Sequence, residues 1–300
     1  MGFPGYLELL DSIPSIDNSV QAVIYTSCAV QHTHKSVAKG APTPMSTPKG
    51  KFSWYELMTT DTEAAKAFYE SVVGWTTTDV GSPEMPYSSF NVKGVGIAGL
   101  MSLPKEAGPI PAWIGYIHVD DVDEYAARLV EAGGTIHRPP TDVPGMLRFT
   151  VVIDAQGAPL VLFTANPSMA SPPTRPAMGD PGTIAWHELM ATDGAAAFDF
   201  YVKQFGWTEG PVHDMGPMGL YRMFDVDGKT EGGIMTRPPG VPGPFWNFYI
   251  QVEVAKEAVS RIEAGGGKVL NGPHQVPTGG WIVQAVDPQG ANFFLVSGTL

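Results

Sequence analysis

The stretch WYELMTTDTEAAKAFYESVVGW, residues 54–75, returns 132 positions later as WHELMATDGAAAFDFYVKQFGW, residues 186–207, with twelve of twenty-two residues identical. Its first part, FSWYELMT (52–59), alternates side chains and predicts a strand. Thr60 or Asp61 then serves as a helix N-cap, with Glu63 spaced to close a capping box from Thr60. Ala65, Phe68, Tyr69 and Val72 recur at helical spacing, so the helix lays one apolar face on a sheet. Gly74 stops it, as glycine does just past a helix end. From Trp75 the chain is extended again, and turn signals at GSP (81–83) and KG (93–94) divide further short strands up to about Met101. The unit reads as one strand, one helix and three strands.

The same grammar recurs within the first half. WIGYIHVDD (113–121) is a strand running into a cap, DVDEYAARLVEAGG (121–134) is a helix ending in glycines, and TIHRPP, MLRFTVVID and APLVLF follow as strands. This unit also has a copy, WNFYIQVEV with AKEAVSRIEAGGG and the strands up to FFLVSG, at an offset of 133. Tyr116 matches Tyr249, Gly133 matches Gly266, and DAQGA (154–158) matches DPQGA (287–291). Four related units are therefore arranged as two pairs. The fold class expected is α+β, with domain one over 49–165, a Pro-rich linker over 166–182 and domain two over 183–298.

Residues 1–48 differ from the rest. VQAVIYTSCAV (20–30) is mostly apolar, but Glu8, Asp11 and Asp17 precede it where a signal peptide carries basic residues, and it is too short to span a membrane. With Met45 placed where a start would make sense, the segment reads as a disordered leader or a start assigned too early. His32 and His34 lie in this tail and do not make a metal site by themselves. The 30 acidic and 18 basic residues give a net charge of -12, which argues against nucleic acid or an anionic membrane as partner. One cysteine, Cys28, excludes an internal disulfide and a thiolate zinc site, so a reducing, cytoplasmic setting is expected.

Paired strand–helix–three-strand units, a helix ending FYxxxxGW after a capping Asp, and a last strand introduced by DxxGA resemble the vicinal oxygen chelate superfamily. That superfamily holds glyoxalases, bleomycin- and fosfomycin-resistance proteins and extradiol dioxygenases. The resemblance spans about residues 50–298, in tandem, and is nearest to two-domain bacterial members assigned loosely as glyoxalase-like or as hydroxylases. It implies a pair of cupped, mostly antiparallel sheets with helices outside, each enclosing one cavity.

The resemblance also implies a divalent metal held at three strand positions. These are Trp54, Ile114 and Val161 in domain one, and Trp186, Asn247 and Phe294 in domain two. None is His, Glu or Gln, so no metal or other cofactor is expected. Strand parity puts Trp54, Glu56 and Met58 on one face, with Tyr116 and His118 sharing the face of Ile114, and if the ligand position implied by the resemblance faces the cavity, all of them enter the first cavity. Trp186, Glu188 and Met190, with Tyr249 and Gln251, enter the second. Glu56 and Glu188 are candidate general acids or bases with raised pKa, or else structural acceptors for Tyr116 and Tyr249. His118 is a candidate acid–base partner of Glu56, and Trp54 and Trp186 either stack on a ligand or fill space a metal vacated. Three functions remain: a metal-free binder of a small molecule; a glyoxalase-like lyase or hydroxylase using Glu56 or Glu188, metal-free or with a metal on ligands not assigned; and a module whose cups are filled by their own side chains. A small molecule is the partner expected, with a homodimer left open.

Overall fold

A computed structural model describes residues 50–82, 86–103, 110–166, 174–239, 241, 243–276 and 279–300. The leader, with Cys28, His32, His34 and Met45, and part of the Pro-rich linker lie outside the described residues. The first domain runs β1 (Phe52–Thr59), α1 (Thr62–Val73), β2 (Thr76–Asp79), β3 (Tyr87–Val92), β4 (Val95–Ser102), β5 (Ala112–His118), α2 (Val122–Glu131), β6 (Thr135–Val143), β7 (Leu147–Ile153) and β8 (Pro159–Ala165). The second repeats it as β9 (Ile184–Ala191), α3 (Gly194–Phe205), β10 (Thr208–Asp214), β11 (Leu220–Val226), β12 (Lys229–Thr236), β13 (Phe245–Gln251), α4 (Ala255–Ala264), β14 (Lys268–Gln275), β15 (Trp281–Val286) and β16 (Asn292–Ser297).

Each domain forms one 8-stranded open sheet, in the orders β2-β3-β4-β1-β5-β8-β7-β6 and β10-β11-β12-β9-β13-β16-β15-β14. Pairing is antiparallel except at β1–β4, β5–β8, β9–β12 and β13–β16. The helix start departs from the expected capping box. Asp61 is the N-cap of α1, its side chain accepting from the Ala64 N–H, while Glu63 pairs with Lys66 at 2.7 Å rather than reaching back. At the other end Gly74 adopts φ +84°, as a left-handed stop requires.

The two sheets meet back to back. A single core joins Phe52, Tyr55 and Leu57 of β1 to Leu189, Trp246 and Phe248 of the second domain, while α1 packs on α4 and α2 on α3. The repeated motifs build this seam. Asp154 of the DAQGA turn accepts the backbone N–H groups of Gln156 and Ala158, both at 2.8 Å, and its second oxygen accepts the Tyr201 hydroxyl of the other domain at 3.0 Å. Asp287 does the same for Gln289, Ala291 and the hydroxyl of Tyr69. Trp75 and Trp207, which end the quoted repeat, donate across the seam to the carbonyls of Gly182 and Gly50, each at 2.7 Å.

Side chains near the pseudo-twofold axis face their own counterparts, and there the copies differ. Tyr55 hydrogen-bonds His187 at 2.6 Å. Gly115 meets Phe248; a Cβ added to Gly115 would lie 2.6 Å from the Phe248 ring. Two identical large residues would collide in such close-packed positions, so the repeat diverges where symmetry brings it onto itself.

Candidate functional site

The concave faces of the sheets carry the same polar chain twice. In the first cup Trp54 Nε1 donates to the Tyr87 hydroxyl at 3.2 Å, Tyr87 donates to Glu56 Oε2 at 3.0 Å, and Tyr116 donates to Glu56 Oε1 at 3.1 Å. In the second cup Trp186 Nε1 donates to the Tyr221 hydroxyl at 2.7 Å, while Tyr249 and Asn247 donate to Glu188 Oε2 at 2.9 and 3.0 Å. Burial raises the pKa of both glutamates, opposed by the hydrogen bonds from Tyr87 and Tyr116 in one cup and from Asn247, Tyr249 and Tyr221 in the other.

Tyr87 and Tyr221 are the members that strand parity alone does not supply. Each sits one strand beyond the neighbour of β1 or β9, and its ring lies over a glycine in the strand between. Gly99 pairs with Glu56 and Gly233 with Glu188. A Cβ at Gly99 would fall 1.8 Å from the Tyr87 hydroxyl, and one at Gly233 would fall 2.1 Å from the Tyr221 ring. The signal that could have found them is this pair of matching strand glycines, each across a register position from the repeated glutamate.

The other sequence-derived candidates divide. Tyr116 and Tyr249 stand opposite Trp54 and Trp186, and Ile114 and Asn247 stand opposite Glu56 and Glu188. His118 lies edge-on to Phe163, with ring centroids 5.5 Å apart, and burial lowers its pKa. It is not among the hydrogen-bond partners of Glu56, whose carboxylate the two tyrosines occupy. Gln251 lines the second cup, and its amide donates to the Val252 carbonyl.

The cups differ in what fills them. In the first, Trp54, Met58, Met101, Ile114, Tyr116, Val151, Val161, Phe149 and Phe163 pack into one buried cluster. In the second, a cavity of about 1370 Å³ opens over Trp186, Glu188, Met190, Tyr221, Phe245, Asn247, Tyr249, Gln251, Ile282, Gln284, Phe294 and Val296, and extends toward Pro111 and Gln156 at the seam. Matched positions explain part of the difference. Phe149, Phe163 and Leu147 of the first domain correspond, at the offset of 133, to Ile282, Val296 and Gly280. Phe245 and Phe294 are larger than their mates Ala112 and Val161, and Phe294 packs on Tyr249 with centroids 5.2 Å apart. The second cup is thus floored with rings and thinned at the β15–β16 wall.

The family pattern's metal does not suit these side chains. Indole, aliphatic and phenyl groups at five of the three-plus-three strand positions offer no lone pair; Asn247 alone brings an oxygen, its Oδ1, and one such donor does not make a site. Among the described residues no group of three or more His, Cys, Asp or Glu is placed to share an ion.

The sequence model of the Glyoxalase/Bleomycin resistance protein/Dioxygenase superfamily matches residues 51–162 and again 183–294. CFP32 of Mycobacterium tuberculosis, named provisionally as a glyoxylase, is 32% identical over 250 residues, covering 82% of this chain and 94% of the relative. The anthracycline biosynthesis protein DnrV of Streptomyces peucetius is 30% identical over 264 residues, covering 82% of this chain and 93% of its own. Among solved structures, the 2,2',3-trihydroxybiphenyl 1,2-dioxygenase of Sphingomonas wittichii superposes with a TM-score of 0.59 at 13% identity, over 84% of this chain and 91% of the other. The Mn(II)-bound glyoxalase of Novosphingobium aromaticivorans gives 0.58 at 16% identity, over 84% and 83%. At such identities the structural matches speak for the fold alone.

Proposed function

The chain belongs to the glyoxalase/bleomycin resistance protein/dioxygenase superfamily, and on that premise we propose that it binds a flat, largely apolar small molecule in the cup of its second domain, without a metal. The observation that carries this reading is the cavity of about 1370 Å³, apolar and ring-lined with a few convergent polar groups at its floor. DnrV, named for anthracycline biosynthesis, lends the reading a direction toward multi-ring ligands. The first cup, packed with its own side chains, serves as the structural half. No described helix is long and apolar enough to cross a membrane, and a cytoplasmic setting is part of this proposal.

The test is to close the second cup with the first cup's residues. Ile282→Phe with Val296→Phe restores the rings found at Phe149 and Phe163. Calorimetric titration with a panel of planar aromatic compounds should show one site per chain in the parent and at least a tenfold loss in the double variant, with an unchanged melting temperature. Equal affinity in both proteins would refute the assignment.

A second reading is carried by Glu188, a carboxyl with raised pKa held by tyrosines at the cavity floor. There it could accept a proton from a bound substrate and return it. Glu188→Gln should then abolish turnover of a substrate while leaving its binding within about threefold; equal loss of both would leave a binder.

A further inference from the structure

The two cups share the Trp–Tyr–Glu–Tyr chain but not their charge. In the first, the half-buried Arg138 of β6 holds its guanidinium 4.9 Å from the Phe149 ring centroid, and its charge acts on Tyr116, the donor to Glu56. Arg175, from the segment between the domains, holds a second guanidinium 5.8 Å from the Trp54 ring. Cations therefore lie on the aromatic rings of the filled cup, an arrangement that a ring's negative face favours.

The second cup repeats the frame without them. Arg138 pairs with Val151 across β6–β7, and Asn271 pairs with Gln284 at the matching place across β14–β15. Asn271 lines the cavity, where no lysine or arginine is found among the described lining residues and Glu188 is the one acid. The carboxylate is held by donors from Asn247 and Tyr249, and among the described lining residues the ionisable side chains other than Glu188 and the tyrosines are His213 and His274. A buried charge without a counter-charge is costly, and a cation beside it recovers part of that cost.

Resting on the reading of the second cup as the binding site, we infer that its ligand is cationic, an aromatic molecule with a flat amidinium- or guanidinium-type head. The head faces Glu188 and the ring of Trp186, and the apolar body lies against Met190, Phe245 and Phe294. Anionic compounds, whether carboxylates, phosphates or acidic thiol adducts, are disfavoured by Glu188 and by the chain's net charge of -12.

Three near-isosteric probes isolate charge from shape: naphthalene-2-carboximidamide, naphthalene-2-carboxamide and naphthalene-2-carboxylate. Titrated into the full chain at low ionic strength, the amidine should bind at least tenfold more tightly than the amide, with the carboxylate weakest. Glu188→Gln should bring the amidine to the level of the amide, and 0.5 M salt should narrow the gap only in part, because a buried pair is screened less. Asn271→Arg, which gives the second cup the arginine found at the matching position of the first, should cost the amidine tenfold or more. An amide binding as tightly as the amidine, or amidine affinity that survives both Glu188→Gln and Asn271→Arg, overturns the inference while leaving the cavity a binding site. Binding of none of the three sinks the binding reading, and the inference with it. The charge series on the unaltered protein does not depend on any variant folding.

Discussion

Acid should loosen the seam between the domains through one residue, His187. Its ring is fully enclosed, with Nε2 2.6 Å from the Tyr55 hydroxyl and Nδ1 2.7 Å from the Glu231 carbonyl. Phe52 stacks on it at 4.7 Å, and Lys51, paired with Glu231 at 2.5 Å, adds nearby positive charge. Burial lowers the His187 pKa from 6.5 to about 4, with Lys51 acting in the same direction and the Glu231 carbonyl opposing. The unfolded chain takes up the proton below pH 6.5 and the folded one only near pH 4. Stability associated with this residue is therefore fully present above pH 6.5 and is lost as pH falls toward 4. Multiplying the difference of about 2.5 units by 1.36 kcal/mol gives a loss of roughly 3 kcal/mol. Burial raises the pKa of Glu56, Asp154, Glu188 and Asp287, whose contribution to stability changes with pH in the opposite sense, so the wild-type profile alone is composite. The comparison to make is with His187→Gln, which keeps a polar group opposite Tyr55 but does not titrate. Urea unfolding at pH 7 and pH 4 should show the stability difference between the two proteins shifting by about 3 kcal/mol in favour of the variant at low pH. A difference that stays constant within about 0.5 kcal/mol would refute the reasoning, because it would mean that His187 is protonated alike in both states.

Other consequences follow from the seam and the cup. Tyr201→Phe removes the hydroxyl from Asp154, and Tyr69→Phe removes its counterpart from Asp287; each should cost about 1.5–3 kcal/mol in urea unfolding, as a hydrogen bond to a charged group does. Costs near zero at both would mean the repeated DxxGA turn does not tie the domains through these tyrosines. Gly233→Ala places a methyl 2.1 Å from the Tyr221 ring and should drive that side chain off Glu188. Loss of this donor should raise the Glu188 pKa further, read by carbon NMR titration of the carboxyl, and an unchanged titration would show that the tyrosine is not held by the glycine.

Much of the architecture is legible in the sequence because it rests on local periodicity. The strand–helix–three-strand grammar, the stop at Gly74 and the shared face of Trp54, Glu56 and Met58 follow from spacing alone, while the family resemblance is what turns that face toward the cup. At the start of the first helix the sequence offers Thr60 and Asp61 as competent caps, and the structure uses Asp61, which leaves Glu63 free of the capping box. Tyr87 and Tyr221 were beyond such reasoning, because each reaches its glutamate across an intervening strand and only the register, with a glycine beneath the ring, brings them together.

The repeat by itself determined that the chain builds two copies of one sheet and which residues share a strand face; the family resemblance added which face forms the cup and which positions a metal would use. The tertiary structure alone decided that the copies are unequal. Whether a cup is open depends on the sum of volumes from strands far apart in the chain, with two phenylalanines and a leucine on one side and isoleucine, valine and glycine on the other. Whether a cation lies on the rings of a cup depends on which long side chain reaches them, as Arg138 reaches Phe149 in one domain where the other has Asn271. The sequence also records the difference between Tyr55 and His187, but only the back-to-back packing explains it: near a twofold axis each residue meets its own copy, and close packing there favours complementary partners over identical ones.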